Sequence, residues 1–212
     1  MSSDNTQVQQ CRGPIHCRVG PMFSGKSTWL NQELTELADL GLKVLKISHS
    51  DDHRPSVHAS DEAGSTHSSS YKRLSPKIVP LKVPDLMHAD AQVQEYDVIG
   101  IDEGQFYPDL LKYVVKWSES DYKPIYVAGL DGTHERKPMG DILAVCSVAD
   151  TFQKFQAKCR KCIERGISEH HVAQNFTDAI FSMKITGSRS ITEVGGADMY
   201  QSVCYGHYRP FS

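Results

Sequence analysis

One short segment, residues 20–27, constrains the fold of this chain more than any other feature. It reads Gly-Pro-Met-Phe-Ser-Gly-Lys-Ser and fits the pattern G-x-x-x-x-G-K-[ST] of a phosphate-binding P-loop. Apolar residues alternate before it, from Ile15 to Val19, as in a strand, and recur after it, from Leu30 to Leu37, at helical spacing. A strand, a glycine-rich turn and a helix in this order predict an α/β fold with a parallel sheet.

The residue types of this segment suit phosphate chemistry. Glycines let successive N–H groups converge on one anion, and the helix that follows adds its positive end. Lys26 supplies a charge to the β- and γ-phosphates, and the Ser27 hydroxyl binds Mg²⁺. A coincidental glycine turn is the alternative, but the odds of a chance match are on the order of a per cent. The predicted phosphate-binding residues are Gly20, Pro21, Met22, Phe23, Ser24, Gly25, Lys26 and Ser27.

Further strands are predicted at 44–47, 98–101 and 125–128, with helical periodicity between them. Segment 98–101 is continuously apolar, which is typical of a buried parallel strand. The chain is therefore predicted to fold as a P-loop NTPase-type, RecA-like parallel sheet flanked by helices. His16 and Arg18 are polar positions in the first strand, so one face is expected to be partly solvated there.

Ligands of such sheets bind at the carboxyl ends of the strands, where the segments after Val19, Ile47, Ile101 and Leu130 should converge. We predict three parts: a disordered polar arm at 1–12, a P-loop α/β domain at 13–154, and a small β domain at 155–212.

Composition narrows the classes of function. The chain has 212 residues with a formal net charge of −3, which disfavours binding to nucleic acid or to a membrane surface. It has no run of about 18 apolar residues and no secretory pattern at its N-terminus, so a cytoplasmic location is expected. Closely spaced cysteines in such a compartment are interpreted as metal ligands before disulfides.

Two carboxylates, Asp102 and Glu103, follow the buried strand at 98–101 directly. An aspartate at this point of a P-loop protein usually steadies Mg²⁺, because that ion prefers oxygen ligands. A glutamate facing the γ-phosphate can accept the proton of an attacking hydroxyl group. The alternative is that both are solvated loop acids.

Two pairs of metal-ligand residues lie near the C-terminus: Cys159 with Cys162, and Cys204 with His207. Three sulfurs and one nitrogen form a standard tetrahedral zinc site, and four protein ligands leave no open position for catalysis. We therefore predict a structural Zn²⁺ that clamps the two ends of the 41-residue segment between Cys162 and Cys204. The alternative is a set of reduced thiols with a surface histidine.

Several blocks together resemble the cellular, zinc-containing (type II) thymidine kinase family over residues 13 to 208. They are Gly-Pro-Met-Phe-Ser-Gly-Lys-Ser-Thr at 20–28, Asp-Glu-Gly-Gln-Phe at 102–106, Leu-Asp-Gly at 130–132, Gly-Gly-Ala-Asp at 195–198, Tyr200 and Cys204. The resemblance implies ATP and Mg²⁺, thymidine as acceptor, dTMP and ADP as products, dTTP as a feedback inhibitor, and a homotetramer.

The resemblance also implies roles by position. Glu103 would be the catalytic base, and Gln105 would belong to the nucleotide site. Asp52, His53 and Arg54 would lie near the phosphates. A lid formed by Ile191, Thr192, Glu193, Val194 and Gly195 would close over the base, with Tyr200 nearby. Met22, Leu130 and Ser182 would line the methyl side of thymine.

Three positions depart from the family pattern. His134 and Met139 stand where the family usually has aromatic residues, and His207 replaces the usual fourth cysteine. Histidine can stack and form hydrogen bonds, while methionine adapts to different shapes. The acceptor range is therefore hypothesised to extend beyond thymidine, for example to deoxyguanosine.

Two other functions compete with a kinase. A GTPase would need a guanine-reading Asn/Thr-Lys-x-Asp motif, which the sequence lacks. A zinc-ribbon module that binds ATP only as a structural ligand is disfavoured by the acidic charge balance and by the pair Asp102 and Glu103.

Overall fold

A computed structural model describes residues 12–51, 75–165, 178–185 and 199–209. The strands are β1 Ile15–Val19, β2 Val44–His49, β3 Ile78–Val83, β4 Val98–Ile101, β5 Ile125–Gly129, β6 Thr151–Lys154, β7 Ala157–Lys158, β8 Asp178–Ala179, β9 Phe181–Lys184 and β10 Tyr200–Val203. The α-helices are α1 Lys26–Asp39, α2 Asp90–Val93, α3 Leu110–Glu119 and α4 Arg160–Glu164. Short 3₁₀ helices span Leu86–Ala89, Gly104–Phe106, Ile142–Ser147 and Tyr205–His207.

Six parallel strands form the main sheet in the order β3-β2-β4-β5-β1-β6. The four strands predicted from the sequence, β1, β2, β4 and β5, are the interior of this sheet, and the predicted parallel α/β class is confirmed. The two additional strands, β3 and β6, are its edges. An edge strand needs few apolar residues, and in β6 only Phe152 is partly buried, so the apolar pattern that revealed the interior strands is absent there.

The two faces of the sheet are covered unequally. The larger core lies on the α3 side, where Trp117 and Leu110 pack against Ile99 and Val127. On the other side α1 packs Leu30, Leu34 and Ala38 against the sheet. Beyond α1 this second face bears His16 and Arg18, which are only half-buried, as the sequence predicted.

The described residues of the C-terminal part form two small antiparallel sheets, β7 with β8 and β9 with β10. Its apolar cluster includes Met183, Val203 and Tyr208, together with two of the predicted metal ligands. The predicted small β structure is therefore confirmed, while the boundary between residues 154 and 155 stays a prediction.

The predicted arm lies outside the described residues except for Arg12. This residue forms an ion pair with Asp150 at 3.0 Å and donates a hydrogen bond to the carbonyl of Val148. Arg12 is therefore part of the folded structure. Within the described ranges, no helix is both long enough and apolar enough to cross a membrane.

Candidate active site

The P-loop lies between β1 and α1, and its two glycines are required for different reasons. Gly20 has φ of 151°, and a Cβ atom there would lie 2.5 Å from the carbonyl oxygen of Phe155. Gly25 caps the N-terminus of α1 with φ of 84° in the left-handed region, where side chains are disfavoured. These conformations turn the chain sharply from the strand into the helix, as phosphate binding requires.

Lys26 lies over the loop with 8% of its surface exposed. Its ammonium group donates to the carbonyl oxygen of Pro21 at 2.8 Å and to the hydroxyl of Ser24 at 3.4 Å. The loop N–H of Met22 donates to the hydroxyl of Ser182 in β9 at 2.9 Å. The loop is thus fixed from within by Lys26 and from outside by the C-terminal sheet, while Phe23 remains 54% exposed.

Asp102 follows β4 and is buried. Its Oδ1 accepts a hydrogen bond from the Ser27 hydroxyl at 3.0 Å, and its Oδ2 lies 3.1 Å from the ammonium group of Lys46 in β2. A hydroxyl and a carboxylate oxygen side by side at the start of α1 are the donor set that a hard divalent cation accepts beside a phosphate. The residues present therefore fit the divalent metal that the sequence predicts.

Glu103 has an unusual backbone, with φ of 54° in the left-handed region. Only a few per cent of non-glycine residues adopt this conformation, and it costs on the order of 1 kcal/mol. Its carboxylate accepts a hydrogen bond from the Gln105 side chain at 2.7 Å. Gln105 is 4% exposed, and its carbonyl oxygen accepts the N–H of Leu130 at 2.8 Å. Gln105 thus holds Glu103 in place and ties it to the end of β5.

The segment after β5 forms a tight hairpin closed by a bridge between Gly132 and Pro138. His134 lies on it, and its Nδ1 atom is buried without a hydrogen-bond partner among the described residues. Met139 follows the hairpin and is 9% exposed. Leu130 is partly buried beside this hairpin, and Ser182 and Tyr200 are buried in the C-terminal sheet. The predicted contacts of these residues with thymine stay predictions.

Part of the predicted site lies outside the described residues. This applies to Asp52, His53 and Arg54, predicted near the phosphates, and to the lid formed by Ile191, Thr192, Glu193, Val194 and Gly195.

The four predicted metal ligands come together in one cluster. Their ligand atoms all lie within 4.8 Å of one another. The His207 Nδ1 atom lies 3.5, 3.3 and 3.4 Å from the sulfurs of Cys159, Cys162 and Cys204, and the last two sulfurs are 3.9 Å apart. Ligands at ordinary zinc distances span tetrahedral edges of about 3.5 Å (S to N) and about 3.8 Å (S to S). The cluster therefore fits one zinc ion.

The environment of His207 also suits metal binding. Burial lowers the pKa of this histidine, and the positive charges of Arg165, Lys161 and Arg209 lower it further. A lowered pKa favours the neutral ring, which is the form that binds a metal.

A comparison with protein families matches residues 13–208 to the family described as thymidine kinase. The chain belongs to the thymidine kinase family. Thymidine kinase 1 of Dictyostelium discoideum is 35% identical over 204 residues, covering 95% of this chain and 80% of that protein. Thymidine kinases of Variola virus and of Vaccinia virus (strain Tian Tan) are 34% and 33% identical over 192 residues, covering 91% of this chain and 94% of each of theirs.

Two features of this thymidine kinase family member were missed from the sequence. The first is Lys46, a cation between the apolar residues Leu45 and Ile47 of β2, and that position is the signal that could have revealed a buried partner. The second is a contact between the hairpin and Tyr208, the residue that follows the predicted metal ligand His207. Tyr208 donates its hydroxyl to the carbonyl of His134 at 2.7 Å, and the Arg136 guanidinium lies 4.5 Å from the centre of the Tyr208 ring. No local pattern indicates such a long-range contact.

Proposed function

We propose that this protein is a thymidine kinase that transfers the γ-phosphoryl group of ATP to the 5′-hydroxyl of thymidine, giving dTMP and ADP. Membership of the thymidine kinase family supports this activity. The observation that carries it is the arrangement around the end of β4, where Asp102 contacts the P-loop hydroxyl of Ser27 and Glu103 follows it, held by Gln105. This arrangement supports the proposal of a phosphate cradle with a carboxylate base beside it.

In the proposed reaction the P-loop N–H groups and Lys26 hold the phosphates of ATP. The 5′-oxygen of thymidine forms a bond to the γ-phosphorus while the bond from that phosphorus to the β,γ-bridging oxygen breaks, and ADP leaves. Glu103 accepts the proton of the 5′-hydroxyl. Its fixed orientation matters because a misplaced base loses much of its effect.

A divalent cation accompanies ATP in this family, and we propose that it is Mg²⁺. Ser27 and Asp102 would hold it, and when bound it neutralises the charge that develops on the phosphates. Asp52, His53 and Arg54 are proposed to approach the same phosphates, and Gln105 to contribute to the nucleotide site through its contact with Glu103.

Thymidine is proposed to bind between the hairpin after β5 and the C-terminal sheet, under a lid formed by residues 191–195. The zinc cluster has four protein ligands and would be structural: it joins the two ends of the segment that carries the lid. The buried Nδ1 of His134, which has no hydrogen-bond partner in the described ranges, supports the further proposal that other bases are accepted, including that of deoxyguanosine.

We also propose three properties that depend on the resemblance to the family. They are a homotetrameric assembly, feedback inhibition by dTTP, and a cytoplasmic location. The role of the enzyme would then be the salvage of precursors for DNA synthesis.

Glu103→Gln tests the proposed chemistry. We expect kcat for thymidine to fall about a hundred- to ten-thousand-fold while the affinity for ATP changes little, because only the proton acceptor is lost. Glu95→Gln, an exposed glutamate after α2, is the matched control and should keep full activity. Turnover by the Glu103 variant at the wild-type rate would refute the base assignment.

The rates of the wild-type protein with all four deoxynucleosides test the acceptor range. Turnover of thymidine and deoxyuridine alone would refute the proposed wider acceptor range.

A further inference from the structure

Lys46 in β2 forms an ion pair with Asp102, which follows β4, and a hydrogen bond with Asn31 in the P-loop helix α1. It is flanked by the buried residues Leu45 and Ile47. Its ammonium group lies 3.1 Å from Oδ2 of Asp102 and donates to the Asn31 side chain at 2.7 Å. Only 14% of the Lys46 side chain and 9% of the Asp102 side chain are exposed, so water screens the pair weakly.

The carboxylate of Asp102 is fixed at both oxygens. Oδ2 faces Lys46, while Oδ1 accepts the Ser27 hydroxyl at 3.0 Å and the backbone N–H of Glu103 at 3.1 Å. These contacts leave the carboxylate one orientation, with Oδ1 toward the P-loop. Lys46 therefore contributes to the position of the atom that the proposed metal would meet.

Among the described residues at this point, the charges of four side chains cancel. Asp102 and Glu103 bring two negative charges, and Lys26 and Lys46 bring two positive charges. Without Lys46 the set would carry a net charge of −1 in a largely buried place, and an anionic oxygen site of that kind attracts a free divalent cation. When Lys46 is present, a free divalent cation gains little electrostatic energy by binding here. A cation bound to the phosphates of ATP arrives together with negative charge, so Lys46 does not repel the complex in the same way.

We propose that Lys46 is a positioning residue that orients Asp102 and keeps the nucleotide-free protein from holding a divalent cation, so that the metal enters with ATP. The inference rests on the proposed nucleotide site and extends it to the order in which metal and nucleotide are bound. The hydrogen bond from the Lys46 ammonium group to the Asn31 side chain then keeps that group beside Asp102.

The test is calorimetric titration of MnCl₂ into nucleotide-free protein. We expect no saturation below millimolar concentration for the wild type. Lys46→Met removes the charge at nearly constant length and should bind Mn²⁺ at least about tenfold more tightly, because one repelling charge close to a divalent ion is worth more than a factor of ten at protein dielectric values. Adding Asp102→Asn to Lys46→Met should abolish the gain.

Two further variants separate charge from orientation. Lys46→Gln is neutral but can still donate to Asp102, so it should gain Mn²⁺ affinity as Lys46→Met does, and it carries the test if Lys46→Met does not fold. Lys46→Arg keeps the charge and should behave as the wild type. Lys116→Met, which breaks the ion pair with Asp90 near α3, is the matched control.

Equal Mn²⁺ affinity in the wild type and in both neutral variants would overturn the proposal, as would tight binding to the nucleotide-free wild type. The titration contains no nucleoside and measures no turnover. Its failure would therefore leave the thymidine kinase proposal intact, and failure of the Glu103→Gln test would leave the Mn²⁺ result unchanged.

Discussion

Replacing Gln105 by leucine tests whether this residue holds the base or binds the cofactor. Leucine has nearly the same volume but cannot form hydrogen bonds. The change removes the 2.7 Å bond to Glu103 and the 2.8 Å bond from the Leu130 N–H. The part-buried Leu130 N–H then lacks an acceptor, at a cost of about 1–3 kcal/mol. Losing the bond to the partly exposed Glu103 adds about 0.5–1.5 kcal/mol, and burial of the leucine offsets about 1 kcal/mol.

The free energy of unfolding should therefore fall by about 0.5–3.5 kcal/mol, which for a chain of this size lowers Tm by about 1–14 °C. A loosened Glu103 should lower kcat about ten- to a hundredfold, since a base displaced by about 1 Å loses on that order of rate. The measurements are thermal unfolding at fixed protein and zinc concentration, and initial rates with ATP and thymidine varied separately.

Gln32→Leu is the matched control. Its side chain donates to Glu36 at 3.0 Å on the exposed side of α1, and such a pair is worth about 0.2–0.5 kcal/mol. It should lower Tm by at most about 2 °C and leave kcat unchanged. The reasoning is refuted if Gln105→Leu keeps kcat within twofold of the wild type. A raised KM for ATP at unchanged kcat would instead favour the cofactor-binding role predicted from the sequence.

Two more predictions concern the C-terminal part. Cys204→Ser should reduce the bound zinc, measured by atomic absorption, from about one ion per chain. It should also lower the free energy of unfolding by about 4 kcal/mol, which is the loop-closure value for a cross-link of the 41-residue segment. An unchanged Tm would contradict a structural metal. Tyr208→Phe removes the 2.7 Å bond to the His134 carbonyl, so we expect about 0.5–1.5 kcal/mol less stability and a raised KM for thymidine at constant KM for ATP. A rise in the KM for ATP alone would show that the hairpin does not serve the acceptor.

The sequence predicted the interior of the sheet because interior parallel strands must be apolar on both faces. β4 is buried at all four positions, and a continuous apolar run of this length is typical of a strand covered on both sides. β3 and β6 are paired on one side only and were missed.

The P-loop and the metal ligands were also predicted, since phosphate and zinc require fixed residue types at fixed spacing. The four predicted metal ligands lie within 4.8 Å of one another, close enough to hold one metal ion.

Contacts between side chains distant in sequence could not be predicted. The pattern at 102–106 gave Glu103 a role but could not show that Gln105 turns back toward it, because that depends on the left-handed backbone at Glu103. Likewise Ser182 was predicted beside thymine, and nothing in the sequence indicated its bond to the P-loop.

The hydrogen bond between Met22 and Ser182 affects how the P-loop would bind ATP. The Met22 N–H is already committed to Ser182, and Gly20 is packed against the Phe155 carbonyl, so the P-loop is held in shape by two segments of the C-terminal part. A loop ordered during folding loses less conformational entropy when the ligand arrives, and that saving appears as affinity. The C-terminal part thus pre-organises the phosphate cradle from a distance along the chain of more than a hundred residues.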